Sequence, residues 1–410
     1  MRMQLGAWTR VLVGAGALCA ANEALADSAA VLLDDGALIF DGRLRLETVE
    51  QDGFADDAVA PTFRARLGFQ SGAFLNLQVL VEGEGVVHLG GDFNDTVNGN
   101  VSYPVVADPD GFELNRLQIA YSGLPETLVT IGRQRINLDN QRFVGAVAFR
   151  QNEQTFDAIR ATNRSVDGLV LDYMFVNQVN RFFGNESAQG EFEGPTHLFN
   201  ASYALPRFGT LTGYAYLLDL EEAPALSTAT FGGRLSGKGK LGEDTSVRYA
   251  VEYAYQKDYA DNPLDVGVHY GHGEVAVAYQ GFGILGGVET LEGDGSVGFS
   301  TPLGTLHKFQ GFADVFLNTP ANGIVDLYAG PSYEATLDAP IGPVTGFFAA
   351  LTVHDFKTEL GRQPLGSEVD AEVTARLGDH FSVGAKYADY DGDGGFASRR
   401  KLWLQLDVTY

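Results

Sequence analysis

The chain has 410 residues and a formal net charge of −25, from 53 acidic and 28 basic residues, with 45% hydrophobic residues, 11% aromatic residues and 51 glycines. That acidity excludes nucleic acid as a partner, because phosphate binding needs a basic stripe, and the apolar and aromatic content excludes a disordered acidic chain. Length alone leaves open two or three soluble domains or one large barrel.

The first segment carries Arg2 and Arg10, an apolar run from Val11 to Ala21, and Ala24-Leu25-Ala26 before Asp27. This is the pattern of a secretory signal with a small-x-small cleavage site, so residues 1–26 are expected to be a signal peptide and 27–410 a single barrel domain. The apolar run is too short to span a bilayer as a helix, and no later stretch supplies the roughly 18 apolar residues a spanning helix needs. The one cysteine, Cys19, lies inside this segment, so a disulfide framework is not expected.

Alternating segments follow. Phe40, Leu44 and Leu46 alternate with Asp41, Arg43, Arg45 and Glu47; Phe63, Ala65, Leu67 and Phe69 alternate with Arg64, Arg66 and Gln70. Leu75, Leu77, Val79 and Val81 are set against Asn76, Gln78 and Glu82. Val247, Tyr249, Val251, Tyr253 and Tyr255 oppose Arg248, Glu252 and Gln256, and Val369, Ala371, Val373, Ala375 and Leu377 oppose Glu368, Asp370, Glu372 and Arg376. The last segment places Leu402, Leu404, Leu406, Val408 and Tyr410 on one face and Lys401, Trp403, Gln405, Asp407 and Thr409 on the other. Successive strand residues face opposite sides, which suits lipid outside and a wet lumen inside.

The connectors decide between a soluble sandwich and a membrane barrel. Short turns are expected at Ser71-Gly72, Ser122–Glu126, Asn163–Asp167, Pro206–Gly209, Gly281–Gly283 and Gly378–His380; long polar segments lie at 85–111, 137–154, 180–195 and 291–324. Short turns on one side and long loops on the other are the pattern of an outer-membrane barrel. Segment counting gives an all-β, antiparallel barrel of about eighteen strands, an even number that returns the last strand to the periplasmic side. The expected location is the Gram-negative outer membrane, with lipid and lipopolysaccharide as surroundings and the barrel assembly machinery as the partner of the terminal strand.

Two blocks carry a family resemblance. Gly132-Arg133-Gln134, Asp139–Gly145 and Arg150–Asp157, including Asn140, Gln141, Arg142, Gln151 and Asn152, form the first. Thr301-Pro302-Leu303, Leu306–Asp314 with His307 and Lys308, and Asn318–Gly323 form the second. Both resemble loops of the alginate-export family of outer-membrane channels. The resemblance implies an eighteen-stranded barrel passing an anionic uronate polysaccharide through an arginine-lined lumen.

Arginine suits an anion path because its guanidinium stays charged and grips a carboxylate through two hydrogen bonds. Arg43, Arg45, Arg64, Arg66 and Arg116 face the lumen by alternation, and Arg133, Arg135, Arg142, Arg150 and Arg160 accompany them. They form either a basic ladder for cargo or a bracing network with Asp41, Glu47, Glu82 and Glu84 on neighbouring strands. The 137–154 loop is expected to fold inward as a constriction or to cap the barrel outside.

Asp389, Asp391 and Asp393 with Gly394 look like the first half of a calcium loop, but position twelve is Arg400 rather than glutamate. Together with Asp92, Asn94 and Asp95 they are expected to be solvated loop tips, and no cofactor or metal is assigned. The seven histidines are scattered, and no nucleophile elbow or phosphate loop is present, so an enzyme is not expected. The leading expectation is passive passage of anionic oligo- or polysaccharide. The alternative is a substrate-specific or general uptake porin for small carboxylates or sugars; an outer-membrane hydrolase and a non-conducting structural barrel rank below both.

Overall fold

A computed structural model of the protein describes Leu33 and residues 35–410; the expected signal segment, 1–26, lies outside the described residues. The chain forms β1 (Ala37–Gln51), β2 (Ala58–Gln70), β3 (Leu77–His88), β4 (Gly111–Leu124), β5 (Thr127–Gln134) and β6 (Thr155–Asn163). These are followed by β7 (Leu169–Asn180), β8 (Glu191–Leu205), β9 (Gly209–Leu217), β10 (Thr228–Lys240), β11 (Thr245–Asp258) and β12 (Gly267–Tyr279). The last six are β13 (Phe282–Leu291), β14 (Ile324–Ile341), β15 (Val344–Lys357), β16 (Pro364–Leu377), β17 (Phe381–Gly392) and β18 (Arg399–Thr409).

Each strand pairs antiparallel with its sequence neighbours, and β1 pairs with β18 to close an 18-stranded barrel. In that closing register Leu44 stands opposite Leu406 and Leu46 opposite Leu404. The amide of Phe40 donates to the carbonyl of Tyr410 at 3.1 Å, and the amide of Tyr410 returns the bond at 2.9 Å. Closure leaves no unpaired edge, which the hydrocarbon region requires.

Polarity is inverted relative to a soluble domain. Leu67, Ile119, Val251, Ile284, Leu327 and Leu404 are exposed on the outer face, while Arg64, Glu82, Glu252, Glu368 and Lys401 are buried within. Tyr121, Tyr203, Phe208, Tyr279, Phe282, Phe381 and Tyr410 are exposed near the short-turn end, as an aromatic girdle at a membrane interface requires. The protein is an outer-membrane barrel.

Eight turns of two to six residues mark the periplasmic end. The nine opposite loops are L1 (52–57), L2 (89–110), L3 (135–154), L4 (181–190), L5 (218–227), L6 (259–266), L7 (292–323), L8 (358–363) and L9 (393–398). L1, L8 and L9 are as short as the longest turn, so the length contrast rests on L2, L3 and L7. One expected turn moves. The β2–β3 hairpin reverses at Leu75-Asn76 (φ +51° and +63°) and not at Ser71-Gly72, so Leu75 and Asn76 leave the expected alternation. Two positive φ angles make this the mirror-image turn whose twist matches the flanking strands. Ser71 instead accepts the Val79 amide on its Oγ at 2.9 Å.

Candidate functional site: two inward-folded loops and a vestibule

L3 and L7 fold into the barrel and pack on each other, bringing the two singled-out blocks together. Val144 bridges Leu303 as a parallel pair. The carbonyl of Leu303 accepts the Gly145 amide at 2.9 Å and Gln154 Nε2 at 3.0 Å. Thr305 Oγ1 donates to Gln141 Oε1 at 2.9 Å, and Lys308 Nζ reaches the Asn140 carbonyl at 3.2 Å. Ile136, Leu138, Phe143 and Val144 of L3 are buried with Phe299, Leu303, Ala313 and Phe316 of L7 against Met174, Tyr214, Tyr270, Phe356 and Trp403 of the wall. The outer half of the lumen therefore holds an apolar core, not water alone. Trp403, from the mostly polar face of the terminal strand, is 1% exposed and meets Phe149 edge-on at 5.7 Å.

The inward arginines are braced. Arg64 pairs with Asp41, Arg66 with Glu84, Asp41 and Glu153, and Arg116 with Glu82 at 2.5 Å. Arg43 bonds Asp407 at 2.8 Å and the Ala148 and Phe149 carbonyls of L3 at 3.0 Å. Arg45 donates to the Phe149 carbonyl at 2.5 Å and stands 3.8 Å from Asp108. Arg133 pairs with Asp157, Arg135 with Glu153 and Arg160 with Asp172. Arg142 donates Nε to Glu289 at 2.8 Å and Nη1 to Thr301 Oγ1 at 3.0 Å. These pairs cancel charge within the wall and tie L3 to β1, β2 and β13. Gln151 adds an Nε2 bond to Thr62 Oγ1 at 2.7 Å, and Asn152 is buried beside it.

One junction joins L3, L7 and the closing strands. Asp314 accepts Arg150 at 3.1 Å, Lys401 at 2.9 Å and His307 Nδ1 at 2.9 Å, while Glu47 accepts Arg150 at 3.3 Å and Lys401 lies 3.2 Å from it. Burial would raise the Asp314 carboxyl, but Lys401 and Arg150 hold it well below the usual carboxylate range. Burial, with Lys386 and Lys401 nearby, pushes the His307 ring down to about 3 against the pull of Asp314. The ring is therefore a neutral donor, stacked on Phe149 at 3.5 Å and on Phe312 at 5.1 Å. L7 is anchored further where the Phe312 amide donates to Asp370 at 2.9 Å and the Ala313 amide to Glu368 at 2.7 Å.

Above this junction lies a vestibule of about 810 Å³, lined by Arg150, Arg181, Phe182, Phe183, Arg399 and Lys401, with Pro302 and His307 also lining it. Arg181 is sandwiched between Phe192 at 4.2 Å and Phe183 at 4.7 Å. Burial lowers it to about 10. Neither Arg181 nor Arg399 has an acid partner within ion-pair distance among the described residues; Arg399 donates to the Ala313 and Asp314 carbonyls instead.

Sequence reasoning missed Asp314, Lys401, Glu153, Glu289 and Asp108. Asp314 sat inside a quoted block and Lys401 on the inward face of the last strand; for Asp108 no local signal exists. Asp389, Asp391 and Asp393 are not gathered: Asp389 takes the Tyr387 hydroxyl at 3.0 Å and lies 3.6 Å from Arg400, while Asp393 bonds the next amide.

No family model matches the chain, and no curated protein matches it. Solved structures do match. Acinetobacter baumannii OccAB3 aligns with a TM-score of 0.70 at 14% identity over 92% of this chain and 100% of its own. Pseudomonas aeruginosa OpdO gives 0.67 at 13% identity over 93% and 98%. P. aeruginosa OpdK, solved with vanillate, gives 0.67 at 15% identity over 92% and 99%. These likenesses establish the fold. They overturn the expected membership of the alginate-export family: these barrels are Opd and Occ proteins, and no family model supports the alginate-export reading. The two loop blocks that carried the resemblance form a packed clasp, so their pattern reports loop docking inside an eighteen-stranded barrel.

Proposed function

We propose that the protein is a substrate-specific outer-membrane channel for uptake of small organic solutes, with small carboxylates favoured. The observation that carries this reading is the inward fold of L3 and L7, which fills the outer lumen and leaves a bounded vestibule of about 810 Å³. A vestibule of that size suits a small molecule, since ligand pockets run from about 300 to 1,000 Å³. Arg181 and Arg399, the vestibule guanidiniums without acid partners among the described residues, favour an anion, and the phenyl rings of Phe182 and Phe183 favour a flat apolar body. The vanillate in the OpdK structure is such a molecule. The braced arginines on β1 to β5 act as rigid wall in this account. Export through a signal at 1–26 and assembly through the terminal strand belong to the same proposal.

Proteoliposomes report the answer. Uptake of radiolabelled benzoate-type carboxylates should exceed that of uncharged sugars of similar size, and Arg181→Ala should reduce the carboxylate preference. Equal uptake of both classes, unchanged in the variant, would sink the proposal.

A further inference from the structure

β4 and β5 pair no higher than Leu117 and Arg133, so residues 111–116 of β4 rise toward the outer mouth without β5 beside them. L3 has by then turned inward. L4 crosses to fill part of the gap, and its Asn185 amide donates to Glu113 Oε1 at 2.7 Å. What remains is a cleft of about 290 Å³ lined by Phe112, Glu113, Arg133, Asn180, Asn185 and Glu191.

The cleft opens on the outer face of the barrel. Phe112 is 77% exposed, and a Cβ at Gly83 or Gly85 would touch its ring, so the ring lies against β3 on the side where Val81 and Val87 are exposed. Toward the membrane come Leu114, Leu117, Ile131 and Ile159, all exposed, with Tyr173 and Phe199 beside them. Above this apolar belt the polarity changes at once. Arg133 holds Asp157 at 2.8 and 2.9 Å, Asn180 Nδ2 reaches Asp157 at 3.3 Å, and Gln178 Nε2 joins Asn180 Oδ1 at 3.1 Å and Glu191 Oε2 at 2.8 Å. This chain of bonds runs from β5 to β8 at the level where the lipid interface passes from acyl chains to headgroups.

We infer that the cleft binds the sugar headgroup of an outer-leaflet glycolipid, whose acyl chains lie on the apolar belt beneath. The Phe112 ring offers a flat apolar surface, which suits the C–H face of a sugar ring. Glu113 Oε2, Glu191 Oε1 and the Asn185 side-chain amide take no hydrogen bond among the described residues. Two acceptors and an amide that both donates and accepts match ring hydroxyls. The one cation among the lining residues, Arg133, already holds Asp157, so the cleft is negative and disfavours a phosphate, because like charges across a contact are costly. A neutral sugar fits where a phospholipid headgroup does not, and any phosphate on the glycolipid lies outside the cleft.

The test is native mass spectrometry of the full-length barrel, refolded in detergent free of lipopolysaccharide, with rough lipopolysaccharide as the probe and phosphatidylglycerol as the lipid without sugar. Wild type should retain one lipopolysaccharide per barrel, in EDTA as well as in Mg²⁺, and at least tenfold less phosphatidylglycerol. Phe112→Ala and Asn185→Ala should each weaken retention at least fivefold, while Phe112→Trp, which keeps an aromatic face, and Phe282→Ala, at the opposite end of the barrel, should retain it. Phe112 is exposed, and heat-dependent gel mobility verifies that each variant is folded. Equal retention of the two lipids, retention lost in EDTA, or retention unchanged in both folded alanine variants would overturn the inference.

Discussion

Asp314 and His307 show how single residues seat a loop inside a membrane barrel. In place, the His307 ring is held down to about 3; released, it titrates near the ordinary 6.5. The released loop therefore binds a proton that the seated loop refuses. Seating is complete above pH 6.5 and weakens as pH falls, by up to about 1.4 kcal/mol per pH unit, until near pH 3. Asp314 acts in the same direction but later: its depressed carboxyl contributes fully above about pH 4, and that contribution is lost only as pH falls further. Protease cleavage of the 304–314 stretch should thus accelerate between pH 7 and pH 4 in wild type. His307→Gln, which keeps a donor for Asp314 but does not titrate, should flatten that profile. Of this junction, sequence reading had named Arg150, Glu47 and His307. It lacked Asp314 and Lys401, because partners 87 residues apart meet only once the barrel closes and L7 turns inward.

At the scale of the element, L3 and L7 behave as one folded unit pinned to the wall by buried charge. Arg142 is the pin to β13, bonding Glu289, Thr301 and, through its guanidinium face, the Phe309 ring at 4.9 Å. Arg142→Ala leaves the Glu289 carboxylate buried without its cation, at a cost of about 3–5 kcal/mol. Hydrogen exchange should show L3 and L7 losing protection together, with β1–β4 unaffected; loss confined to L3 would mean the loops are independent. The inward fold of 137–154 was one of two outcomes open from sequence. The structure settles it through apolar residues such as Ile136, Phe143 and Phe299, whose scatter along loops has neither strand nor helix period. The family resemblance failed for a related reason. It was carried by polar and glycine positions such as Gln141, Gly145, Gln154 and Thr301, whose bonds run to Thr305, Arg142 and the Gly145 and Leu303 carbonyls inside the clasp.

Across the whole molecule the strand pattern was legible because one physical rule governs every segment: lipid-facing side chains must be apolar and lumen-facing ones need not be. The rule located the alternation of β1, β2, β11, β16 and β18 and the even strand count. It could not locate the Leu75-Asn76 turn, where backbone geometry decides and hydropathy is silent. It also let Trp403 pass as part of a wet face. Leu404, exposed to lipid opposite Leu46, tests the rule directly: Leu404→Arg should lower stability in vesicles by about 2–4 kcal/mol if it lies near the bilayer midplane, read as a shift in the urea refolding midpoint. The central claim is that L3 and L7 fill the outer lumen and set the channel's size. Single-channel conductance in planar bilayers measures this, comparing wild type with a variant in which 301–314 is replaced by a short glycine-serine link. The account predicts a small wild-type conductance that rises several-fold in the variant; a large wild-type conductance left unchanged by the replacement would contradict it.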